Sequence, residues 1–392
     1  MKPNEGIASC LVGLLAVMAG VSVANLYYCQ PLLNMISEDM HLTEFEVNLV
    51  PVCTQVGYAL GLLFIIPLGD LYNRRSTILG CFAVLVFSLL CIAFAGNVWV
   101  LLMGASVTGF CSVAPQVFMP FVSQYARPEE KERKTGVILS GLLCGILGSR
   151  VISGYVGHLF GWRAMYLIAA VLIVVSALVL LRTFPYVEPT FKGKFRTLMT
   201  SIVTLAKEHP EALRYSSRSG MCFGSFLGLW ACLAFRMKEA PFFQGSDVVG
   251  LLGLCGVAGA LTASSVGRFV PRYGVERISR VGMIIISGAW VMLAFVHNTY
   301  LGIIAGIILM DIGMQCVQLS NQSATMRLSI TAASRMNTIY MVSYFIGGSL
   351  GTFSAGTLWS LFGWHGTVLS GLAMVVVGMM IKNKSCVVIN SD

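Results

Sequence analysis

The strongest constraint on the fold of this chain is its succession of long apolar runs, which are separated by short charged turns. A bilayer core is crossed by a helix of about 20 apolar residues, and roughly twelve such runs use most of the 392 residues. Hydrophobic residues make up 56% of the chain and charged residues only 11%, which excludes a soluble globular domain. We therefore predict an all-α integral membrane protein with twelve transmembrane helices. The predicted spans are residues 7–33, 47–68, 76–96, 98–125, 135–158, 164–181, 219–238, 248–266, 281–296, 300–326, 337–361 and 366–381.

Positive charge lies on one side of these spans. Of the 26 Lys and Arg residues, only Arg163, Arg236 and Lys238 fall on the other side, and Arg150 lies within a span. By the positive-inside rule both termini are cytoplasmic, and the protein is a multi-pass protein of the cell (inner) membrane. The net charge of +9 follows from this topology, so we expect no nucleic-acid partner. The twelve cysteines are scattered and predict packing residues and no disulfide framework.

The chain contains an internal repeat. The sequence Phe-Gly-Trp at residues 160–162 recurs 202 residues later at residues 362–364. The same offset aligns Arg133 with Arg335, Gly145 with Gly347 and Gly154 with Gly356. We predict two pseudo-symmetric six-helix bundles, residues 1–182 and 214–392. A cytoplasmic linker, residues 183–213, joins them and contains an amphipathic helix along the inner membrane surface, with Phe191 and Phe195 on its apolar face.

The tenth span carries a polar stripe. Asp311, Gln315, Gln318 and Gln322 stand at i, i+4, i+7 and i+11, on one face of an otherwise apolar helix. Because such groups are costly in lipid, this face predicts a cavity. The other candidate substrate-binding residues are Asn25, Tyr27, Tyr28, Gln30, Gln116, Trp230, Asn337, Tyr340 and Tyr344. Together they predict an uncharged, hydrogen-bonding and partly aromatic cavity, which suits sugars, drugs and amphipathic metabolites alike.

Asp311 and Arg150 are the candidate proton-coupling pair. Asp311 lies near the membrane midplane, where a carboxyl group can exchange a proton as the site opens to either side. Arg150 is either its counter-charge or the anchor for a carboxylate or phosphate of the substrate. Two alternatives stay open: Arg150 snorkels to the outer surface, or the two residues form a purely structural ion pair.

The turn that contains Asp70, Arg74 and Arg75 is a candidate gate. A carboxylate favours a helix N-terminus and guanidinium groups favour the carbonyls at helix C-termini, so this turn can brace neighbouring helix ends in one conformation. The alternative is that the arginines only mark the cytoplasmic side. A partial second copy, at residues 267–274, favours the gating interpretation.

The chain resembles the major facilitator superfamily over essentially its whole length. Residues 66–75 resemble its signature G-x-x-x-D-R-x-G-R-R at Asp70, Arg74 and Arg75, although Ile66, Leu71 and Asn73 differ from it. The runs ANLYYCQPLL (24–33), GWRAMY (161–166), DIG (311–313) and SRMNTIY (334–340) are similar to bacterial arabinose-efflux and drug-efflux permeases. This resemblance implies two six-helix bundles, alternating access and proton coupling.

These observations predict a transport function and no enzymatic activity. The chain lacks a G-x-x-x-x-G-K-[ST] loop, an H-E-x-x-H motif and a G-x-S-x-G motif, so we expect neither an enzyme nor an ATP-driven pump, and no cofactor or metal. We expect a monomeric proton-coupled secondary transporter that exports a small organic solute by antiport. The alternatives are a proton symporter or facilitator for uptake of an organic anion and, more distantly, a non-transporting membrane sensor or scaffold.

Overall fold

The computed structural model describes residues 6–186, 193–329 and 332–381, with residues 70, 264, 265, 267 and 268 described by their backbone only. Every long regular element in these ranges is a helix. The first eight are α1 (Ser9–Ala24), α2 (Cys29–Asp39), α3 (Glu44–Leu71), α4 (Arg74–Ala93), α5 (Val98–Cys111), α6 (Ala114–Tyr125), α7 (Lys131–Phe160) and α8 (Trp162–Thr183). The others are α9 (Phe195–Glu208), α10 (Pro210–Lys238), α11 (Ser246–Leu252), α12 (Val257–Tyr273), α13 (Val275–Val296), α14 (Tyr300–Arg327) and α15 (Ala333–Met380).

The described residues hold eleven helical stretches that are long and apolar enough to span a membrane. The longest, α15, contains 48 residues and is interrupted at Gly363, where φ is 57° and ψ is −141°. Glycine adopts positive φ without a Cβ clash, so this residue turns the chain between two consecutive spans. Twelve spans result, and the predicted all-helical membrane fold is confirmed. The cytoplasmic position of both termini remains a prediction.

Several spans are broken where the sequence predicts one helix. The first span is confirmed as one stretch, Ser9–Asp39, but residues 25–28 interrupt it between α1 and α2. The fourth span is interrupted between α5 and α6, with Pro115 in the first turn of α6. The eighth span consists of α11, a 3₁₀ turn at Gly253–Gly256 and α12. The seventh begins at Pro210, nine residues before its predicted start.

Glycine contacts join equivalent helices in the two sequence repeats. A methyl group added at Gly145 of α7 would lie 2.4 Å from the Cα of Gly20 of α1. One added at Gly347 of α15 would lie 2.3 Å from the carbonyl carbon of Gly220 of α10. These pairs are possible because glycine lets helix backbones approach closely. Gly148 of α7 makes no such contact, since no heavy atom of a neighbouring helix lies within 4 Å of the corresponding methyl position.

Helices α1–α8 and α10–α15 meet at the end of the bundle that is predicted to face outward. The indole of Trp359 donates to Glu44 at 2.8 Å, and the Asn48 amide donates to the carbonyl of Thr352 at 2.9 Å. Nearer the membrane centre, the rings of Tyr58 and Phe345 lie 4.5 Å apart. Five hydrogen bonds between described residues join α1–α8 to α10–α15. All five lie between the outer end and the level of Tyr58 and Phe345. The two sets are thus closed together on their outer side.

Candidate functional site

Arg150 is enclosed near the middle of the bundle. It lies on α7 and is only 2% exposed, so its guanidinium does not snorkel to the surface. Its Nε donates to Oε1 of Gln30 at 2.8 Å, and its guanidinium carbon lies 3.8 Å from the ring centre of Trp230 and 5.2 Å from that of Tyr27. The Nη2 atom is buried and has no hydrogen-bond partner among the residues that the structure describes. Three predicted site residues from the first and seventh spans therefore surround this cation.

Asp311 is buried on α14 and does not face lipid. It is 7% exposed, and its Oδ2 atom has no hydrogen-bond partner among the described residues. Its carboxylate lies close enough to Arg150 to interact electrostatically with it, yet no pair of their atoms is at ion-pair distance. The predicted structural ion pair is absent from this conformation, and each partner keeps one polar atom unpaired.

A glycine-rich break in the eighth span lies against both charged residues. A methyl group added at Gly253 would lie 2.9 Å from Cβ of Arg150, and one added at Gly259 would lie 3.2 Å from Oδ1 of Asp311. The 3₁₀ turn at Gly253–Gly256 thus lies between the two side chains, and glycine leaves room for both. A 3₁₀ segment within a helix often marks a hinge.

The rest of the polar stripe of α14 contacts α15. The hydroxyl groups of Tyr344 and Tyr340 donate to Oε1 and to the backbone carbonyl of Gln318, each at 3.0 Å. The amide of Gln322 donates to Oδ1 of Asn337 at 2.9 Å. These predicted site residues therefore bond to one another. Gln315 is half-buried between Asp311 and this network and makes no hydrogen bond to described residues.

Three predicted site residues stand apart from Arg150. The Asn25 amide donates to the carbonyls of Val21 and Ser22 at 3.0 and 3.1 Å, so it closes the end of its own helix. Gln116 lies beside the hydroxyl group of Tyr58. Tyr28 is buried, and no contact with Arg150 or Asp311 brings it into the site.

The candidate gating turn contacts neighbouring helix ends. Arg74 Nη1 donates to Oε1 of Gln124 on α6 at 3.1 Å, and Arg75 Nη2 donates to the carbonyl of Leu181 near the end of α8. Asn73 caps α4 by accepting from the backbone N–H of Arg75 at 2.9 Å. The side chain of Asp70 lies outside the described residues. The described part of the turn therefore connects three helices of the first half.

The sequence interpretation missed a polar cluster in the second half. Arg218 is buried on α10, and its guanidinium bonds both carboxylate oxygens of Glu276 at 2.8 and 3.1 Å. It also bonds Asn321 of α14 at 3.1 Å, and Asn321 donates to Ser279 at 2.9 Å. The sequence interpretation leaves Arg218 just outside the seventh predicted span, which begins at residue 219. Pro210, which favours the first turn of a helix, is the signal that α10 begins early enough to include it.

The sequence matches the model of the Major Facilitator Superfamily over residues 13–352. It is 32% identical to the transporter YgaY of Escherichia coli over 97% of this chain and 96% of the relative. It is 29% identical to the "Probable transporter SCO4007" of Streptomyces coelicolor, over 96% of this chain and 87% of that protein.

Two solved structures share the fold at low sequence identity. A bacterial homologue of the human lysosomal transporter Spinster, in an inward-facing and unoccupied conformation, superimposes with a TM-score of 0.77 at 15% identity and covers 95% of each chain. The nucleoside transporter NupG gives a TM-score of 0.73 at 13% identity, over 96% of this chain and 99% of its own. The chain therefore belongs to the major facilitator superfamily, and it is a transporter of small molecules in the cell (inner) membrane and not an enzyme.

Proposed function

We propose that this protein is a monomeric, proton-coupled secondary transporter that exports a small organic solute by antiport. One observation carries the proposal: two buried, opposite charges, Arg150 and Asp311, each keep an unpaired polar atom in the membrane interior. A buried charge without a partner is costly, so such groups are retained in membrane spans mainly where they bind or transfer something.

The roles of the two residues follow from their surroundings. Asp311 takes up and releases the proton, because a carboxyl group in a low-dielectric site is easily neutralised and the glycines beside it leave access to Oδ1. Arg150 is the fixed positive charge of the site. Its guanidinium is held by Gln30 and Trp230, so Nη2 is oriented for a polar group of the solute or for Asp311 after a rearrangement.

Alternating access is proposed to move residues 1–182 against residues 214–392, with the linker of residues 183–213 between them. The repeated glycine contacts of α1 with α7 and of α10 with α15 support two internally rigid halves. Arg74 and Arg75, together with Asp70, are proposed to hold the inner side closed in the other conformation. The remaining polar residues, among them Gln315, Gln318 and Tyr344, would contact the solute.

The test is to replace Asp311 by Asn. A thermal-shift screen of the purified protein first selects a solute, and transport is then measured in vesicles. If Asp311 carries the proton, Asp311→Asn abolishes transport driven by an imposed proton gradient but leaves exchange of labelled for unlabelled solute intact. Glu129→Gln, an exposed acid in the turn before α7, serves as the control and should retain both activities. Loss of exchange as well would assign Asp311 to binding or to structure.

Uptake of an organic anion is the second candidate, favoured by the unpaired Nη2 of Arg150 between two aromatic rings. Antiport and symport differ in the direction of the gradient that drives the solute. In vesicles of known orientation, export by antiport requires solute and protons to move in opposite directions. Accumulation of the solute together with protons would favour the symport alternative.

A further inference from the structure

A cavity of about 590 Å³ lies on the surface formed by the linker helix α9 and the start of α15. Its lining includes three cations, Lys194, Arg196 and Arg335, and one acid, Glu208. Four hydroxyl residues also line it, at i, i+3, i+4 and i+7 on one face of α9: Thr197, Thr200, Ser201 and Thr204. Cations interleaved with hydroxyl groups are the side chains that bind phosphate oxygens.

The three cations are not neutralised by ion pairs with the part of the chain that the structure describes. None of their side chains forms an ion pair or a hydrogen bond with any described residue. Two of the hydroxyl groups donate to carbonyls of their own helix, at 2.8 Å for Thr200 and 2.6 Å for Ser201. The hydroxyl groups of Thr197 and Thr204 make no such bond, so they remain available as donors.

In the first repeat, the arginine that corresponds to Arg335 is neutralised by an acid. Arg133, the repeat mate of Arg335, bonds Glu130 at 3.1 Å, and the neighbouring Lys134 bonds the same carboxylate at 2.8 Å. The residue 202 positions after Glu130 is Ala332. Both residues precede their helix with similar backbone angles, φ −104° for Glu130 and φ −116° for Ala332. The second repeat therefore lacks the acid that neutralises this corner in the first.

The cavity is also placed to connect the two halves. The buried side chains of α9 pack on the start of α15, where Ile202 belongs to one apolar cluster with Met336 and Ile339. The same helix contacts α3 of the first half and α10 of the second. A ligand that bridges α9 and Arg335 would therefore bind where both halves and the linker meet.

We propose that this cavity binds a phosphate-bearing anion, which is either the headgroup of an acidic phospholipid or a soluble phosphate compound. Lys194, Arg196 and Arg335 supply the charge, and Thr197 and Thr204 donate to the phosphate oxygens. Glu208 limits the net charge of the cavity. This site is separate from the transport site, and binding to it does not depend on proton coupling.

The test measures binding with the full-length protein in nanodiscs. The first arm compares the apparent Tm in nanodiscs of phosphatidylcholine with the apparent Tm in nanodiscs of phosphatidylcholine and phosphatidylglycerol. The second arm measures the apparent Tm as inorganic phosphate replaces chloride at constant ionic strength. Replacing the three cations by Gln (Lys194→Gln, Arg196→Gln, Arg335→Gln) should weaken binding of the effective probe by about tenfold or more. The matched control removes three exposed cations outside the cavity, Lys207→Gln, Arg277→Gln and Arg280→Gln, and should bind like the unaltered protein.

A second variant adds the missing acid. Ala332→Glu should place a carboxylate three residues before Arg335, as Glu130 stands before Arg133, and should weaken binding of the same probe. Stabilisation by phosphatidylglycerol alone identifies a lipid headgroup, whereas stabilisation by inorganic phosphate identifies a soluble compound. The proposal is overturned if neither probe stabilises the unaltered protein, or if the control triple variant loses as much binding as the cavity variant.

Discussion

The buried guanidinium of Arg150 contacts two aromatic rings and one amide oxygen. Trp230 and Tyr27 pack against Arg150, and Gln30 accepts from Nε at 2.8 Å. A planar cation between aromatic rings is stabilised by the ring quadrupoles, which partly compensates the loss of hydration. Because these contacts use the shape of the guanidinium as well as its charge, Arg and Lys are not equivalent at this position.

Arg150→Lys should separate charge from shape. The lysine keeps a positive charge opposite Asp311 but loses the planar contact with Trp230 and the bond from Nε to Gln30. A hydrogen bond to a charged group contributes about 1.5–3 kcal/mol, so we expect the KM for the solute to rise by about tenfold or more while proton-driven transport persists. Transport kinetics in vesicles measure both quantities. Arg163→Lys, at the outer surface, is the control; equal KM values for the two variants would contradict this role of Arg150.

The sequence predicts which charged residues matter but not what surrounds them. Asp311 and Arg150 stand out because charges are rare in apolar spans, and the i, i+4 spacing places Gln315 beside Asp311. The proximity of Gln30 to Arg150 could not be predicted, because these residues are 120 positions apart and no local pattern relates them. Asn25 is predicted to line the cavity from its polarity alone. Its amide nitrogen bonds the carbonyls of the preceding turn, a local contact that the polarity does not indicate.

At the scale of helices, the sequence predicts that a spanning helix exists better than it predicts where that helix is interrupted. Hydropathy shows where a span lies, whereas the break between α1 and α2 falls on residues 25–28, which contain neither Gly nor Pro to indicate a turn. Helix α15 also differs from the sequence prediction in continuity, since only Gly363 turns the chain between its two spans. The capping box of Thr43 and Glu46 at the start of α3 is a local pattern that sequence can indicate: the Thr43 hydroxyl accepts from the backbone N–H of Glu46, and the Glu46 carboxylate accepts from the backbone N–H of Thr43.

Helix packing in each half depends on backbone contact at glycine. Gly347→Ala would place its methyl group 2.3 Å from the backbone of Gly220, which cannot move aside as a side chain can. Overpacking costs about 1–3 kcal/mol, so the apparent Tm should fall by about 2–4 °C or more. Gly288→Ala on α13 is the matched control, because nothing lies within 4 Å of its methyl position. Thermal unfolding in detergent compares the two, and an equal Tm for both variants would disprove backbone contact between α10 and α15.

At the scale of the whole molecule, the contacts between the halves describe one state of a transport cycle. Glu44, Asn48 and Gln55 of α3 meet α15 from the outer end toward the membrane centre. Further contacts of α2 with α10 and of α7 with α11 surround the same end, through Asn34 and Ser246. Three of these five hydrogen bonds end on backbone carbonyls, and the ring pairs Phe45–Phe353 and Tyr58–Phe345 lie in the same interface.

The closest approach in this gate provides a direct test of alternating access. A methyl group at Gly356 would lie 1.8 Å from Nδ2 of Asn48, so Gly356→Ala cannot coexist with the present closed geometry unless Asn48 moves. We expect the population with an open outer end to rise by about fivefold or more, the equivalent of at least about 1 kcal/mol of strain. The distance between spectroscopic labels at the exposed residues Leu159 and Phe243 would report opening of the outer end. The labels must be attached by non-cysteine chemistry because the chain has twelve cysteines. The double variant Asn48→Ala, Gly356→Ala removes the clash with the Asn48 amide and should restore the label distance of the closed state. If Gly356→Ala alone leaves the distribution of label distances unchanged, this contact does not control the outer gate.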